Sequence, residues 1–339
     1  MKTEDFDIQV PRDMIAQVPI EPRDHSKLLV LDRRVGRIIH SRFHQLPSFL
    51  EEGDCLVFNN SRVIPARLRG NLHGEPMNEI VIVLLRRREE SWEALVEAGE
   101  VEEGDDIDFT GLWGRVKEVG EKVGKRRERI IDLWLSDEAK LENAGEPPVP
   151  PYIHGYKGDP EKYQTVYSKI RGSAAAPTAG LHFTDKLLGE LRRKGIFLAF
   201  VTLHVGLDTF MPVLEERPEE HKMYTEFCQL DESVADLLNA RKAHGRRIIG
   251  VGTTSVRTME SAHDGDRFVP YSGWTSLYIL PGYKFKSIDG MITNFHYPRS
   301  TNLMMVSALA GLENIRRAYK RAVEKKYRFY SFGDAMLIL

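Results

Sequence analysis

The sequence predicts an α/β main domain carrying an inserted, mostly antiparallel β-barrel domain, on three observations. Residues 66 to about 137 alternate apolar and polar in short runs separated by glycine and charged turns, the period of half-buried strands. Beyond residue 150 apolar strands alternate with helical stretches, the texture of strands in a core with helices outside. At 339 residues the chain is about twice the length of an ordinary domain, which suits one domain interrupted by a second. The divisions are 1–65 for the first part of the main domain, 66–150 for the barrel and 151–339 for the second part.

In chain order, Lys27–Asp32 is a short strand, and GDCLVFNNSRVIPARL at 53–68 holds a buried one at Leu56, Val57 and Phe58. The barrel strands are EIVIVLLRR, SWEALVEAG, DDIDFTG, WGRVKEV and RERIIDLWLS. EPPVPPYIHGY at 146–156 has too few backbone donors to continue a sheet or helix and reads as a stiff connector. In SAAAPTAGLHFT at 173–184 the small residues let another group approach the backbone, Pro177 stiffens the turn and Gly180 permits a positive φ. Thr184 then caps the helix DKLLGELRRKG, whose charge order suits the helix dipole. GIFLAFVTLHVGL at 195–207 is an apolar strand that turns polar at His204. RRIIGVGTTSVRTMES at 246–261 is a strand, a glycine turn and a helix opening on Thr253, Thr254 and Ser255. GMITNFHYPRSTNLMMVSALAG at 290–311 repeats that grammar, with Asn294, His296, Arg299 and Ser300 between strand and helix, while Leu303, Met304, Met305 and Val306 are core.

Apolar residues are 42% and charged ones 29%, ordinary for a globular chain. No apolar run is long enough to span a bilayer, and MKTEDFDIQVPRD has acids where a signal peptide has a basic region, so the expectation is a cytoplasmic protein with no membrane contact. Only Cys55 and Cys228 occur, which excludes a cysteine-only zinc site and an iron–sulfur cluster. A net charge of −2 argues against wholesale polyanion binding. The basic runs at 86–88, 125–129, 192–194 and 316–326 each read, taken alone, as solvated faces.

Ligands of α/β folds settle beyond the carboxyl ends of the strands, so the junctions bearing His182, His204 and His296 are expected to converge on one pocket. One histidine is more often structural than catalytic; three at similar junctions, with near-neutral pKa values, point to proton transfer. No HExxH or serine-hydrolase elbow is present, and His154, His221 and His263 read as incidental. GVGTTS completes neither a dinucleotide fingerprint nor a P-loop; its hydroxyls are either an N-cap or ligand contacts. Asn59 and Asn60 fit a turn, and Arg62, Arg67 and Arg69 either touch phosphates or decorate the first barrel strand.

Taken together, GDCLVFNNSRVIPARL, YQTVYSKIRGSAAAPTAGLHFT, VTLHVGLDTFMPV, IIGVGTTSVRTMES, LPGYKF, ITNFHYPRSTNLMMVSALAG and SFGDAMLI closely resemble the S-adenosylmethionine:tRNA ribosyltransferase-isomerases of queuosine biosynthesis, along essentially the whole chain. The resemblance implies an α/β domain with an inserted barrel. It also implies a reaction: the ribosyl part of S-adenosylmethionine moves onto 7-aminomethyl-7-deazaguanine at the tRNA wobble position, giving epoxyqueuosine-tRNA, adenine and methionine. The sulfonium activates its own substrate, so no cofactor and no metal is expected. On this reading His182, His204 and His296 carry protons. Thr253, Thr254, Ser255 and Arg257 hold S-adenosylmethionine, with the planar fork of Arg257 on its carboxylate, Asn294 is a further substrate-binding residue, and Asn59, Asn60 and Arg62 lie near the substrate nucleotide. Tyr224, Asp208 and Ser276 stand where the family pattern has a histidine, a glycine and an acid. Competing readings are a tRNA-binding module without catalysis and an S-adenosylmethionine-dependent RNA methyltransferase; a base-exchanging transglycosylase is disfavoured by the missing zinc cysteines. A monomer is the expected state.

Overall fold

A computed structural model describes residues 1–122, 129–150, 152–154, 159–206 and 213–339. In the first segment, β1 (Lys27–Asp32), β2 (Arg37–Arg42), β3 (Cys55–Asn59) and β4 (Ser61–Val63) precede the barrel. Its strands are β5 (Arg67–Leu72), β6 (Glu79–Arg87), β7 (Trp92–Ala98), β8 (Asp106–Phe109), β9 (Leu112–Lys122) and β10 (Arg129–Leu135). They pair antiparallel in the order β5-β6-β7-β10-β9-β8, and β8 returns to β5, which closes six strands into a barrel. Inward residues such as Leu68, Ile82, Ala94, Ile107 and Leu133 fill it, each one buried. The alternation read from the sequence is this inward and outward pointing.

The short helix α1 (Leu141–Ala144) leads to β11 (Gly145–Glu146), which pairs with β5. The chain then supplies β12 (Ile170–Ser173), α2 (Asp185–Arg193), β13 (Phe197–Leu203), β14 (Glu226–Leu230), α3 (Glu232–Ala243), β15 (Ile248–Val251), α4 (Thr253–Ser261), β16 (Tyr271–Thr275) and β17 (Gly290–Asn294). Helices α5 (Thr301–Ala310) and α6 (Leu312–Glu324) and strand β18 (Ala335–Ile338) complete it. The main sheet is mixed, ordered β16-β14-β13-β3-β15-β17-β18-β1-β2. Its centre, β13-β3-β15-β17, is parallel, with the barrel departing soon after β3 and the chain returning to lay β13 beside it. β3, β15 and β17 are buried along their whole length, as strands covered on both faces must be.

Local chemistry sets the helix ends. Thr184 Oγ1 accepts from Leu187 N at 3.1 Å to start α2, and Gly195 follows its end at φ +77°. Ser300 Oγ accepts from Leu303 N at 3.1 Å to start α5. The apolar residues of α5 pack into one large core layer with Phe295, Tyr319 and Met291; Phe58, Phe183 and Leu187 anchor the layer on the opposite face.

Candidate active site

Because β13, β3, β15 and β17 are parallel and in register, their carboxyl ends lie on one rim: His204 after β13, Asn59 at the end of β3, Gly252 after β15 and Asn294 at the end of β17. A cleft opens there, with about 660 Å³ of space counted out to its open side. Its floor is the bare stretch Ala175–Ala179. Thr253 and Thr254 form one wall, Thr293, Asn294 and His296 another, and Tyr152, Tyr163, Tyr297 and Tyr330 give it aromatic sides.

Gly252, at φ +86°, is what allows α4 to begin at the strand end. No side chain caps this helix. Ser255 Oγ turns back to Val251 O at 2.8 Å, and Thr254 Oγ1 is buried without a hydrogen-bond partner. The first N–H groups of α4 therefore face the cleft with Thr253 and Thr254 beside them, and the N-cap alternative for the hydroxyl trio is not what forms. Across the cleft, Asn294 Nδ2 donates to Tyr330 O at 3.0 Å while Oδ1 is buried without a partner. Such atoms in a native fold call for an explanation, and a polar ligand in this cleft supplies one.

His296 is held from two sides. Its backbone N–H donates to Tyr319 Oη at 2.6 Å, and Tyr319 donates back to its carbonyl at 3.0 Å. Ring Nε2 is 2.7 Å from Thr293 Oγ1. Burial lowers its pKa to about 4, so the ring is neutral at physiological pH.

The other two histidines are not among the residues lining this cleft, so the convergence expected from the sequence holds for His296 alone. His182 belongs to the turn that forms the floor, but its ring points behind it. There Nδ1 is 2.9 Å from Ser26 Oγ and the ring stacks on Phe43, with Nε2 buried and unpartnered. Burial first, then the charges of Arg328 and Arg23, push its pKa down to about 3. His204 stands next to the lining residue Val205. It stacks on Phe227 and rests against the backbone of Gly172, where a Cβ would sit 3.0 Å from the ring. Its Nδ1 is buried without a partner, and desolvation lowers its pKa.

A second pocket shares Thr253, Thr254 and Asn302 with the first and is lined also by Met223, Glu226, Arg257 and Tyr278. Arg257 does not offer its fork to this space, because the guanidinium is paired with the buried Glu226 carboxylate and donates to Leu277 O at 3.1 Å. Glu226 also accepts from Gly206 N at 2.7 Å, which ties the segment after His204 to α4.

Asn59 and Asn60 are structural pins as well as a turn, in which Asn59 Oδ1 accepts from Ser61 N at 3.1 Å. Asn59 bonds both N and O of Leu203, and Asn60 Oδ1 accepts from Thr202 Oγ1 at 2.8 Å, so both stitch β3 to β13. Arg62 pairs with Glu161 and Ser168 outside the cleft, and Arg67 and Arg69 meet acids on the barrel surface. Asp208 lies outside the described residues, as do residues 125–128 of one basic run. Sequence reasoning missed the four tyrosines and the part played by the proline-rich connector. That stretch starts as β11 and then delivers Pro150 and Tyr152 to the cleft. The signal available was a tyrosine inside or beside several of the quoted blocks, as in YQTVY, NFHYPRS and RFYSFGD.

Comparison with known proteins agrees with this architecture. Residues 3–338 match the family model described as queuosine biosynthesis protein. The chain is 51% identical, over 100% of both chains, to S-adenosylmethionine:tRNA ribosyltransferase-isomerase of Caldanaerobacter subterraneus subsp. tengcongensis. It is similar to the crystal structure of S-adenosylmethionine tRNA ribosyltransferase from Thermotoga maritima, at 36% identity and a TM-score of 0.58, over 99% of this chain and 100% of that one. The chain therefore belongs to the queuosine biosynthesis protein family, that of the S-adenosylmethionine:tRNA ribosyltransferase-isomerases.

Proposed function

We propose that this enzyme transfers and isomerises the ribosyl moiety of S-adenosylmethionine onto 7-aminomethyl-7-deazaguanine at the tRNA wobble position, releasing adenine and methionine. The observation that carries the reading onto this chain is the cleft at the rim of the parallel strands. It brings together a helix N-terminus, two threonines, an unpartnered amide oxygen, a neutral histidine and several tyrosines. The helix N–H groups with Thr253 and Thr254 suit the carboxylate of the methionine part, and the tyrosine faces suit a purine. Asn294 Oδ1 accepts from a ribose hydroxyl in this arrangement.

The sulfonium makes the adjacent ribose carbon acidic and methionine a good leaving group. What remains for the protein is to take a proton beside sulfur, return one to departing adenine and hold the attacking amine in line. His296 is the proposed proton acceptor, being neutral, on the cleft and clamped by Tyr319. His204, beside the lining residue Val205, is proposed for the second transfer, and His182 supports the floor from behind. Arg257 is proposed to act through Glu226 on the segment after His204. S-adenosylmethionine is consumed as substrate, and the proposal includes no cofactor and no metal. A monomer is the proposed state. A tRNA substrate places the enzyme in the cytoplasm, and among the described residues no helix is long and apolar enough to cross a membrane.

The test is single-turnover adenine release by His296→Gln, His204→Gln and His182→Gln. Loss of the proton acceptor slows release by about 10²–10⁴-fold. Unchanged rates in all three variants would refute the assignment.

A further inference from the structure

We infer that the RNA strand leaves the cleft along the rim of the main sheet towards β2, with its phosphates held by Arg42, Lys325 and Lys326. This rests on the reading of tRNA as substrate and names the surface that receives it. The basic runs of the chain fall into two kinds. On the barrel, Arg86 and Arg88 pair with Glu93 and Arg87 pairs with Glu138, so that run is neutralised where it stands. On the rim, Arg42, Lys325 and Lys326 are exposed, and no ion pair forms to any of them among the described residues. Of the acids beside them, Glu324 pairs with Arg321, and Asp334 is buried and spends its oxygens on the backbone N–H groups of Lys27 and Arg328, both at 2.8 Å.

Register fixes where this cluster sits. Asn294 of the cleft is opposite Ala335, Ala335 is opposite Leu28, and the neighbour of Leu28, Lys27, is opposite Arg42. Three inter-strand steps separate Asn294 from Arg42, roughly 14 Å at about 4.8 Å each. That is about four stacked nucleotides at ~3.4 Å rise. Lys325 and Lys326 stand on the same rim, because Lys27 Nζ donates to both of their carbonyls at 2.7 Å, and Tyr330 and Ser331 of the cleft follow them in the chain. The field there is positive: His40 has its pKa lowered by desolvation and then by Lys325, Arg321 and Lys27. Beside Arg42, which donates to His25 O, the exposed rings of His25 and His44 lie 5.2 Å apart and offer faces to unstacked bases.

The test is a triple variant, Arg42→Gln with Lys325→Gln and Lys326→Gln, checked for an unchanged melting temperature. RNA binding by gel shift and adenine release are both followed against salt. Losing three phosphate contacts makes the log–log salt dependence of binding shallower by about two, at ~0.7 per contact on a single strand. KM for tRNA rises about tenfold or more while kcat at saturating RNA stays within about twofold. An Arg87→Gln control leaves both unmoved. A triple variant whose RNA affinity and salt slope match the wild type overturns the surface. A wild-type protein that binds RNA through these residues yet releases no adenine overturns the functional reading instead.

Discussion

Glu226→Gln tests how the segment bearing His204 is held. The wild-type carboxylate is 2% exposed and its partner Arg257 7%, and the carboxylate also accepts from Gly206 N. The amide keeps an acceptor for Gly206 but removes the charge, leaving the guanidinium buried with only carbonyls around it. Breaking a buried pair from one side costs about 3–5 kcal/mol, and retention of the Gly206 bond places this variant near 3. With a urea dependence of about 3 kcal/mol per molar, the unfolding midpoint falls by roughly 1 M. Arg257→Met strands the carboxylate and loses a similar amount. In the double variant both charges are gone, and its loss is smaller than the sum by about 2 kcal/mol or more. Single variants that each cost under about 1 kcal/mol, with an additive double, would refute the claim that the pair braces this part of the site.

Thr254→Val removes a buried hydroxyl that bonds nothing in the fold; stability is expected to stay level or rise by up to about 1 kcal/mol, while KM for S-adenosylmethionine rises about tenfold, read by urea melts and steady-state kinetics. Gly172→Ala meets both a φ of +136° and the His204 ring, so a loss of about 1–3 kcal/mol with a fall in kcat is expected, the latter measured at saturating substrates. His182 and His296 are neutral when folded, at about 3 and about 4, and ordinary when unfolded. Below pH 6.5 the unfolded chain binds more protons, so stability falls as pH falls. At pH 5 His182 alone accounts for about 2 kcal/mol of that loss, and His182→Gln flattens the urea-midpoint profile between pH 6.5 and 4.

The barrel strands, the capped helices α2 and α5 and the glycine before α4 were legible because each depends on a few neighbouring residues. Period-2 alternation marked β6 to β10, and Thr184, Ser300 and Gly252 are local punctuation. The order of the main sheet was not legible, since β3 receives β13 and β15 from far along the chain. The site was legible in part. Thr253, Thr254, Asn294 and His296 follow strands whose parallel pairing puts them on one rim. A ring's direction, however, depends on what packs beside it, and Ser26 and Phe43, from distant segments, turn His182 away. Arg257 and Asn59 likewise looked available until Glu226 and Leu203 were beside them.

The most direct test is incubation of the protein with S-adenosylmethionine and tRNA bearing 7-aminomethyl-7-deazaguanine, followed by mass analysis of the nucleosides and small molecules. Adenine and methionine in equal amounts and a tRNA base enlarged by the rearranged ribosyl group are expected. Adenosylhomocysteine with a methylated nucleoside, or RNA bound stoichiometrically with no small molecule released, would contradict the proposed function.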